Sequence, residues 1–322
     1  MQNIFDSHAH YDDPRFDEDR DTLLSSMASH GVRAIMNVGN TTHANLAGIE
    51  LAKKYPFVYC SIGIHPDQSE EIAAQNSREY LDAIAQQLSY KKAMALGEIG
   101  LDYYYDDDAP RDIQKKIFEE QLALAKDLDV PVIIHNRDAH QDTLDLLKKY
   151  RPKGIMHCFS GSAEVAKEVL RLGMYIGFTG VITFKNARRA VEAAAEIPLD
   201  RLLVETDCPY MAPEPFRGKR CDSTMLTRMI EKLAEIKGVN PQQFADQTFQ
   251  NACEGYRISP LIPLDSGKTW DYNRLTLTIL LWKGCAFHAQ HNQSFSDFSF
   301  CFCSILFRSD SSCIRSRKSK YR

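Results

Sequence analysis

No stretch of this sequence is apolar over the roughly 20 residues that a membrane-spanning helix needs. The run LTLTILLW at 275–282 falls far short. At the N-terminus, MQNIFDSHAH has no basic segment followed by an apolar one, so no secretory signal is expected. The nine cysteines include no CxxC pair, and in a chain of 322 residues they read as reduced thiols. Cytoplasm is the expected compartment. Phosphate-binding loops are also lacking, because GEIG at 97–100 and FTG at 178–180 do not have P-loop spacing. Nor is there an excess of positive charge. The chain has 39 Lys/Arg against 43 Asp/Glu, and residues 259–322 hold nine of the former and four of the latter. Residues 1–258 therefore carry 30 basic and 39 acidic side chains. Such a body does not advertise nucleic-acid binding through a broad basic face. A polyanionic substrate would need local basic residues and bound metal to counter that field.

What is present is ordinary globular composition, 44% hydrophobic and 25% charged. The length suffices for one α/β barrel of about 250 residues. Eight strand-like runs follow one another: NIFDSHAH, RAIMNVG, FVYCSIGIH, AMALGEIGL, VPVIIHN, KGIMHCFS, MYIGFTG and RLLVETD. Apolar residues on successive positions suit parallel strands buried on both faces. Helical patterns alternate with them, and Gly31, Gly173 and Gly238 close three of these as C-cap signals. Eight βα units in series predict a closed (β/α)₈ TIM barrel. A last helix, PQQFADQTFQNACEGYRI, is expected to pack across its outside. Two parts are thus expected: a barrel over residues 1–258 and a C-terminal extension over 259–322. The extension has no sustained periodicity, holds four cysteines and both tryptophans, and reads as poorly ordered.

Six metal-type side chains stand in or just after the strand-like runs: His8, His10, Glu98, His135, His157 and Asp207. In a (β/α)₈ barrel that places them at the C-terminal mouth, where active sites lie. His8 and His10 are two apart and share a side of an extended chain, as does Asp6. Four imidazoles and two carboxylates exceed what one four-coordinate ion requires. Two divalent ions bridged by a carboxylate is the economical arrangement, with Glu98 as the bridge. Ions about 3.5–4 Å apart can activate water and stabilise both attacking and leaving oxygens, which suits phosphodiester hydrolysis. The donor types leave Mg, Mn or Zn open. Asp6 and Glu205, each two residues before a ligand, are expected to orient one. His65 reads either as an orienting or phosphate-contacting group or as a structural histidine. Arg137, Lys185, Arg217, Lys219 and Arg220 on the loops are candidate phosphate contacts. Among Tyr103, Tyr104 and Tyr105, one could stack a base, and Tyr103 is the candidate. His30, His43 and His140 read as plain helix or loop residues, and Cys158 and Cys208 as core.

The motifs DSHAH, GIHP, LGEIGLDYY, IIHNRDA, HCFSG and LLVETDCPY followed by RGKR resemble the TatD family of metal-dependent hydrolases, over residues 1 to about 258. The resemblance implies an amidohydrolase-like barrel with a divalent-metal site and deoxyribonuclease activity, commonly 3′-to-5′ exonuclease on single-stranded DNA. It implies that His8, His10, Glu98 and Asp207 hold one ion and that Glu98, His135 and His157 hold the second. Asp207 would also be the base toward the attacking water. The sequence departs from the family pattern at Cys221-Asp222-Ser223, where Asn-Glu-Pro is common. Single-stranded DNA or another phosphodiester is the implied partner, with no membrane and no obligate protein partner in view. Two other functions remain open: an ester or amide hydrolase, such as an aminoacyl-tRNA deacylase, and a degenerate barrel that only binds.

Overall fold

The structure is a computed structural model that describes residues 1–74, 77–105 and 109–259. Eight strands pair in parallel in sequence order: β1 (Ile4–Ala9), β2 (Val32–Val38), β3 (Val58–Ile62), β4 (Ala93–Asp102), β5 (Val132–Arg137), β6 (Gly154–Met156), β7 (Tyr175–Phe178) and β8 (Leu202–Val204). Between and after them run α1 (Arg20–Ser26), α2 (Thr42–Lys54), α3 (Ser69–Ala73), α4 (Ser77–Leu88), α5 (Arg111–Leu128), α6 (His140–Tyr150), α7 (Ala163–Arg171), α8 (Arg188–Glu196), α9 (Leu226–Lys237) and α10 (Pro241–Gly255). This is the expected (β/α)₈ barrel. The short α3 has no counterpart in the sequence expectation. Gly31, Gly173 and Gly238 all adopt the left-handed φ of helix-ending residues, at 77°, 80° and 65°.

The seam between β1 and β8 closes differently from the other seven. Only a bridge between Ala9 and Cys208 joins them, with His10 N donating to Cys208 O at 2.8 Å and Asp207 N to His8 O at 2.8 Å. Side chains complete the join. The buried Asp6 carboxylate accepts from Thr206 N at 2.9 Å, Thr206 Oγ1 at 2.7 Å and Ser223 Oγ at 2.6 Å. Asp6 therefore fastens the seam, and only the backbone N of His8, at 3.4 Å, approaches it from the ligand side. Alternation grouped Asp6 with His8 and His10, but the β1–β2 register shifts between Asp6 and Ala9, and the faces no longer follow a period of two. Ser223, where the sequence leaves the family pattern, is thus part of the barrel closure.

The last helix corrects another expectation. A buried cluster joins Phe5, Ala34, Met36, Val38, Ala95, Ile133, Ile155, Tyr175 and Leu203, with Tyr59 against it. Residues from all eight strands can meet only inside the barrel. Phe249, Ala252, Cys253, Tyr256 and Ile258 belong to the same cluster. The C-terminal part of α10 therefore plugs the barrel floor instead of lying wholly outside it, and Tyr256 OH donates to Ser7 O at 2.7 Å. The amphipathic period identified the helix but could not say which surface its apolar face covers. The expectation for residues 260–322 lies outside the described residues.

Helix α5 positions the mouth of the barrel. Its buried face carries Ile117, Phe118, Leu122, Ala125 and Leu128 at helical spacing, together with Gln114 and Gln121. Each glutamine pairs with a main-chain segment as a strand would. Gln114 accepts from Asp102 N at 2.9 Å and donates to Asp102 O at 2.8 Å. Gln121 accepts from Ile64 N at 2.9 Å and donates to Ile64 O at 3.1 Å. Backbone groups that leave the barrel at the ends of β3 and β4 are thereby satisfied, where an unpaired buried one would cost about 1–3 kcal/mol.

Candidate metal centre

The six sequence-predicted ligands do converge at the C-terminal mouth. His8 lies on β1, His10 one residue past it, Glu98 within β4, His135 on β5, His157 one residue past β6 and Asp207 three past β8. Asp207 adopts a left-handed φ of 57°. The central group is Glu98, which is 4% exposed. Its two oxygens face different partners. Oε2 lies 3.4 Å from His8 Nε2 and 3.9 Å from His10 Nε2. Oε1 lies 2.7 Å from His157 Nε2 and 2.8 Å from His135 Nδ1. Asp207 Oδ1 completes the first set, 3.4 Å from His10 Nε2 and 3.7 Å from His8 Nε2. The sets touch where the rings of His8 and His157 stack, with centroids 3.8 Å apart.

The donors fit a divalent cation. A tetrahedral ion with bonds of 2.0–2.2 Å has donor–donor edges of about 3.3–3.6 Å. The first set spans this range, from 3.1 Å between His8 Nε2 and His10 Nε2 to 3.9 Å between His10 and Glu98. Three overlapping triads have donor atoms close enough to share an ion: His8/His10/Glu98, His8/His157/Asp207 and His65/Glu98/His135.

Electrostatics agree with a site designed for positive charge. Burial would raise the Glu98 carboxyl, but His157 and His8, with hydrogen bonds from His135 and His157, hold it well below the carboxylate range. Burial would lower His10, yet Asp207 and Glu98 outweigh it and raise the ring to about 9. Asp102 and Glu98 overcome burial at His135 and raise it to about 10. His8 moves the other way, to about 4, through burial and its neighbour His157. Without a metal, protons on His10 and His135 occupy the places a cation would take, so binding must release them.

The structure brings further residues into the centre. His65 is held by Asp67 Oδ1 on its Nδ1 at 2.8 Å. Its Nε2 points toward Glu98 Oε1 at 3.9 Å, and its ring meets that of His135 edge-on. Asp102, which sequence reasoning missed, sits 3.1 Å from His135 Nε2 through Oδ2. The signal was available: Glu98, Gly100 and Asp102 are two apart along β4. Asp102→Asn is expected to lower metal-dependent turnover by about 10- to 100-fold, as loss of an outer partner does. Steady-state kinetics with a metal titration would check this, and an unchanged rate would remove Asp102 from the centre.

Glu205 accepts from Cys158 N at 2.6 Å and Ser7 Oγ at 3.1 Å and lies 3.7 Å from His157 Nδ1. Tyr103 is committed elsewhere: its OH donates to Asp142 at 2.7 Å and Arg111 lies over its ring. Arg220 likewise pairs with Asp19 through both terminal nitrogens, at 2.8 and 2.5 Å, and donates to Arg15 O. The first loop, which carries Asp19, reaches the β8–α9 loop, a contact that no local pattern signals. Lys185, Arg217 and Lys219 are exposed. Arg217 stacks on Phe184, the residue before Lys185, so these two cations lie on adjoining loops. Arg137 stands over Tyr104. His43 and His140 are helix residues, and His30 ends a short 3₁₀ turn. Cys208 is buried, but Cys158 is only partly so, because the chain has left β6 and turned through a φ of 43°.

Known proteins share this arrangement of sequence and fold. The family model described as TatD related DNase matches residues 5–257. The uncharacterized metal-dependent hydrolase YabD of Bacillus subtilis is 40% identical over 259 residues, 80% of this chain and all of that protein. The 3′-5′ ssDNA/RNA exonuclease TatD of Salmonella typhimurium is 31% identical over 259 residues, 77% of this chain and 97% of the relative. The crystal structure of the TatD homolog YJJV from Escherichia coli superposes with a TM-score of 0.74 at 31% identity, covering 80% of this chain and 99% of that one. Among the described residues no helix is long and apolar enough to cross a membrane.

Proposed function

This chain belongs to the TatD-related DNase family of metal-dependent hydrolases, and from that premise we propose that it is a deoxyribonuclease of the 3′-to-5′ exonuclease type, working in the cytoplasm with two divalent ions, Mg, Mn or Zn. The observation that carries this reading is the division of Glu98, with one oxygen toward His8 and His10 and the other toward His135 and His157. Such a carboxylate is suited to two adjacent cations, with Asp207 on the first set. The naming of the Salmonella relative supports a single-stranded nucleic acid as substrate.

Divalent ions held there supply Lewis-acid charge neutralisation and lower the pKa of water. The protein supplies the rest. Asp207 is kept ionised against its burial by His10, His8 and His157, and it accepts a proton from the attacking water. Lys185 and Arg217 lie on exposed adjoining loops and hold phosphate oxygens of the strand. Asp102 holds Nε2 of His135 and so turns Nδ1 toward Glu98, where an ion would be shared. His65, held by Asp67, keeps its Nε2 toward the shared carboxylate.

The test uses metal-stripped protein reloaded with Mg, Mn or Zn and offered end-labelled single-stranded DNA beside an aminoacyl-tRNA. Metal-dependent shortening of the DNA from its 3′ end is expected, with His135→Ala slower by more than about 100-fold. Cleavage that persists in EDTA, or that is unchanged in His135→Ala, would overturn the reading. So would deacylation of the tRNA without cleavage of DNA.

A further inference from the structure

Tyr104 is 54% exposed, one of two large hydrophobic side chains so exposed among the described residues. A single exposed ring needs no explanation by itself. This one, however, is fixed to the metal centre. Its backbone N donates to Asp102 Oδ1 at 2.9 Å, while Oδ2 of the same carboxylate meets His135 Nε2 at 3.1 Å. The guanidinium of Arg137 stands 3.8 Å from the Tyr104 ring centroid. Arg137 ends β5 two residues after His135 and is the register partner of Asp102. Tyr105 meets Tyr104 edge-on, with centroids 4.8 Å apart and ring planes at 89°. The ring is therefore oriented from behind and from the side, at one carboxylate's remove from a predicted ligand. Tyr103 is the reverse case, with its hydroxyl on Asp142 and its ring under Arg111.

Resting on the nuclease reading, we propose that Tyr104, backed by Arg137, is a stacking platform for a nucleobase of single-stranded nucleic acid beside the metal centre. Every base offers a π-face, so a platform of this kind holds a strand without reading its sequence. A guanidinium against the ring adds a cation–π contact and places positive charge near the strand's phosphates. The platform also compensates for an acidic body, because stacking does not depend on the sign of the protein's field.

The experiment measures binding, by fluorescence anisotropy, of a labelled single-stranded oligonucleotide protected by phosphorothioates at its 3′ end. Metal-loaded full-length protein is compared with Tyr104→Ala, Tyr104→Phe and Tyr104→Trp. A parallel set of strands lacks the base at one of the three terminal positions. Tyr104→Ala is expected to weaken binding roughly 5- to 150-fold, the range of one lost base stack, while Phe and Trp retain it. One of the abasic strands should bind the wild-type protein as weakly as the intact strand binds Tyr104→Ala, and should lose nothing more in that variant. The difference between intact and abasic strands on the wild-type protein carries the test even if the Ala variant folds poorly. Equal binding of the intact strand by wild type and Tyr104→Ala, or indifference of the wild type to all three abasic positions, overturns the platform. A wild type that binds the strand through Tyr104 but cleaves no unprotected DNA overturns the nuclease reading and leaves the platform standing. A wild type that binds no strand overturns both.

Discussion

Glu98→Gln is expected to abolish hydrolysis and to cut the metal content of the purified protein. Glutamine preserves the shape and one acceptor oxygen. It removes the charge and places an NH₂ donor where the second oxygen stood. Whichever way the amide turns, one histidine set then faces a donor. With Oε2 at 3.4 Å from His8 and Oε1 at 2.7 Å from His157, one set meets the donor and both lose the negative charge. Loss of a single outer partner costs about 10- to 100-fold in metal affinity or activity, and a carboxylate shared by both sets should exceed that limit. The check is the metal-to-protein ratio after gel filtration, by atomic spectroscopy, together with turnover at saturating metal. An unchanged metal-to-protein ratio, with turnover within about tenfold of the wild type, would show that Glu98 is not the proposed bridge.

The protons in the centre sharpen this expectation. Burial alone would lower His10 and His135, and their elevation to about 9 and about 10 comes from carboxylates that include Glu98. Removing that charge lets both rings deprotonate at lower pH, so fewer protons compete with a cation. Metal loss in Glu98→Gln therefore cannot be ascribed to competition by protons. It would report the missing ligand.

Much of this centre was legible because its donors occur in strand-like runs whose order fixes their place on the barrel. Run order sufficed for His135, which lies within β5 as its place in VPVIIHN implied, and period-two reasoning was needed only where donors were spaced two apart. It failed at Asp6, because β1 shifts register between Asp6 and Ala9, and at Cys158, because the chain has already turned away from β6. It passed over Asp102, whose value comes from β4 running to ten residues and placing it beside His135. Contacts between distant loops were beyond it altogether. Arg220 looks like a phosphate contact until Asp19, 201 residues away, is seen to hold it. Tyr103 and Tyr104 are chemically identical in sequence, and only the positions of Asp142 and Arg111 separate the anchored ring from the exposed one. The plug formed by α10 was hidden for a related reason: amphipathicity names a face and leaves its partner unnamed.

The second large effect concerns Gly100, which lies between Glu98 and Asp102 and pairs in register with His135. Gly100 adopts a φ of 153°, a conformation that L side chains rarely take. A Cβ there would stand 1.9 Å from His135 O and 2.8 Å from His135 C. Both atoms are backbone, so no rotamer can relieve the overlap, and either β4 or β5 must move. Each possible movement displaces a predicted ligand: Glu98, with the His135 partner Asp102, on one strand, or His135 on the other. Gly100→Ala is expected to cost about 3 kcal/mol or more of stability, combining overpacking with a strained φ. That corresponds to a fall in Tm of about 6–12 °C for a domain of this size. Metal-dependent turnover should fall with it, even at temperatures where the variant remains folded. Gly173→Ala is the control. Its φ of 80° is also left-handed, but a Cβ there meets nothing within 4 Å. It should cost only the backbone preference, about 1 kcal/mol, and leave turnover unchanged. Calorimetry and kinetics on both variants separate the two causes. If Gly100→Ala lost no more than Gly173→Ala, close approach of β4 to β5 would not be what holds His135 against Glu98. If it lost stability but kept full turnover, the donors would tolerate a displacement that their 2.8 Å contact does not suggest.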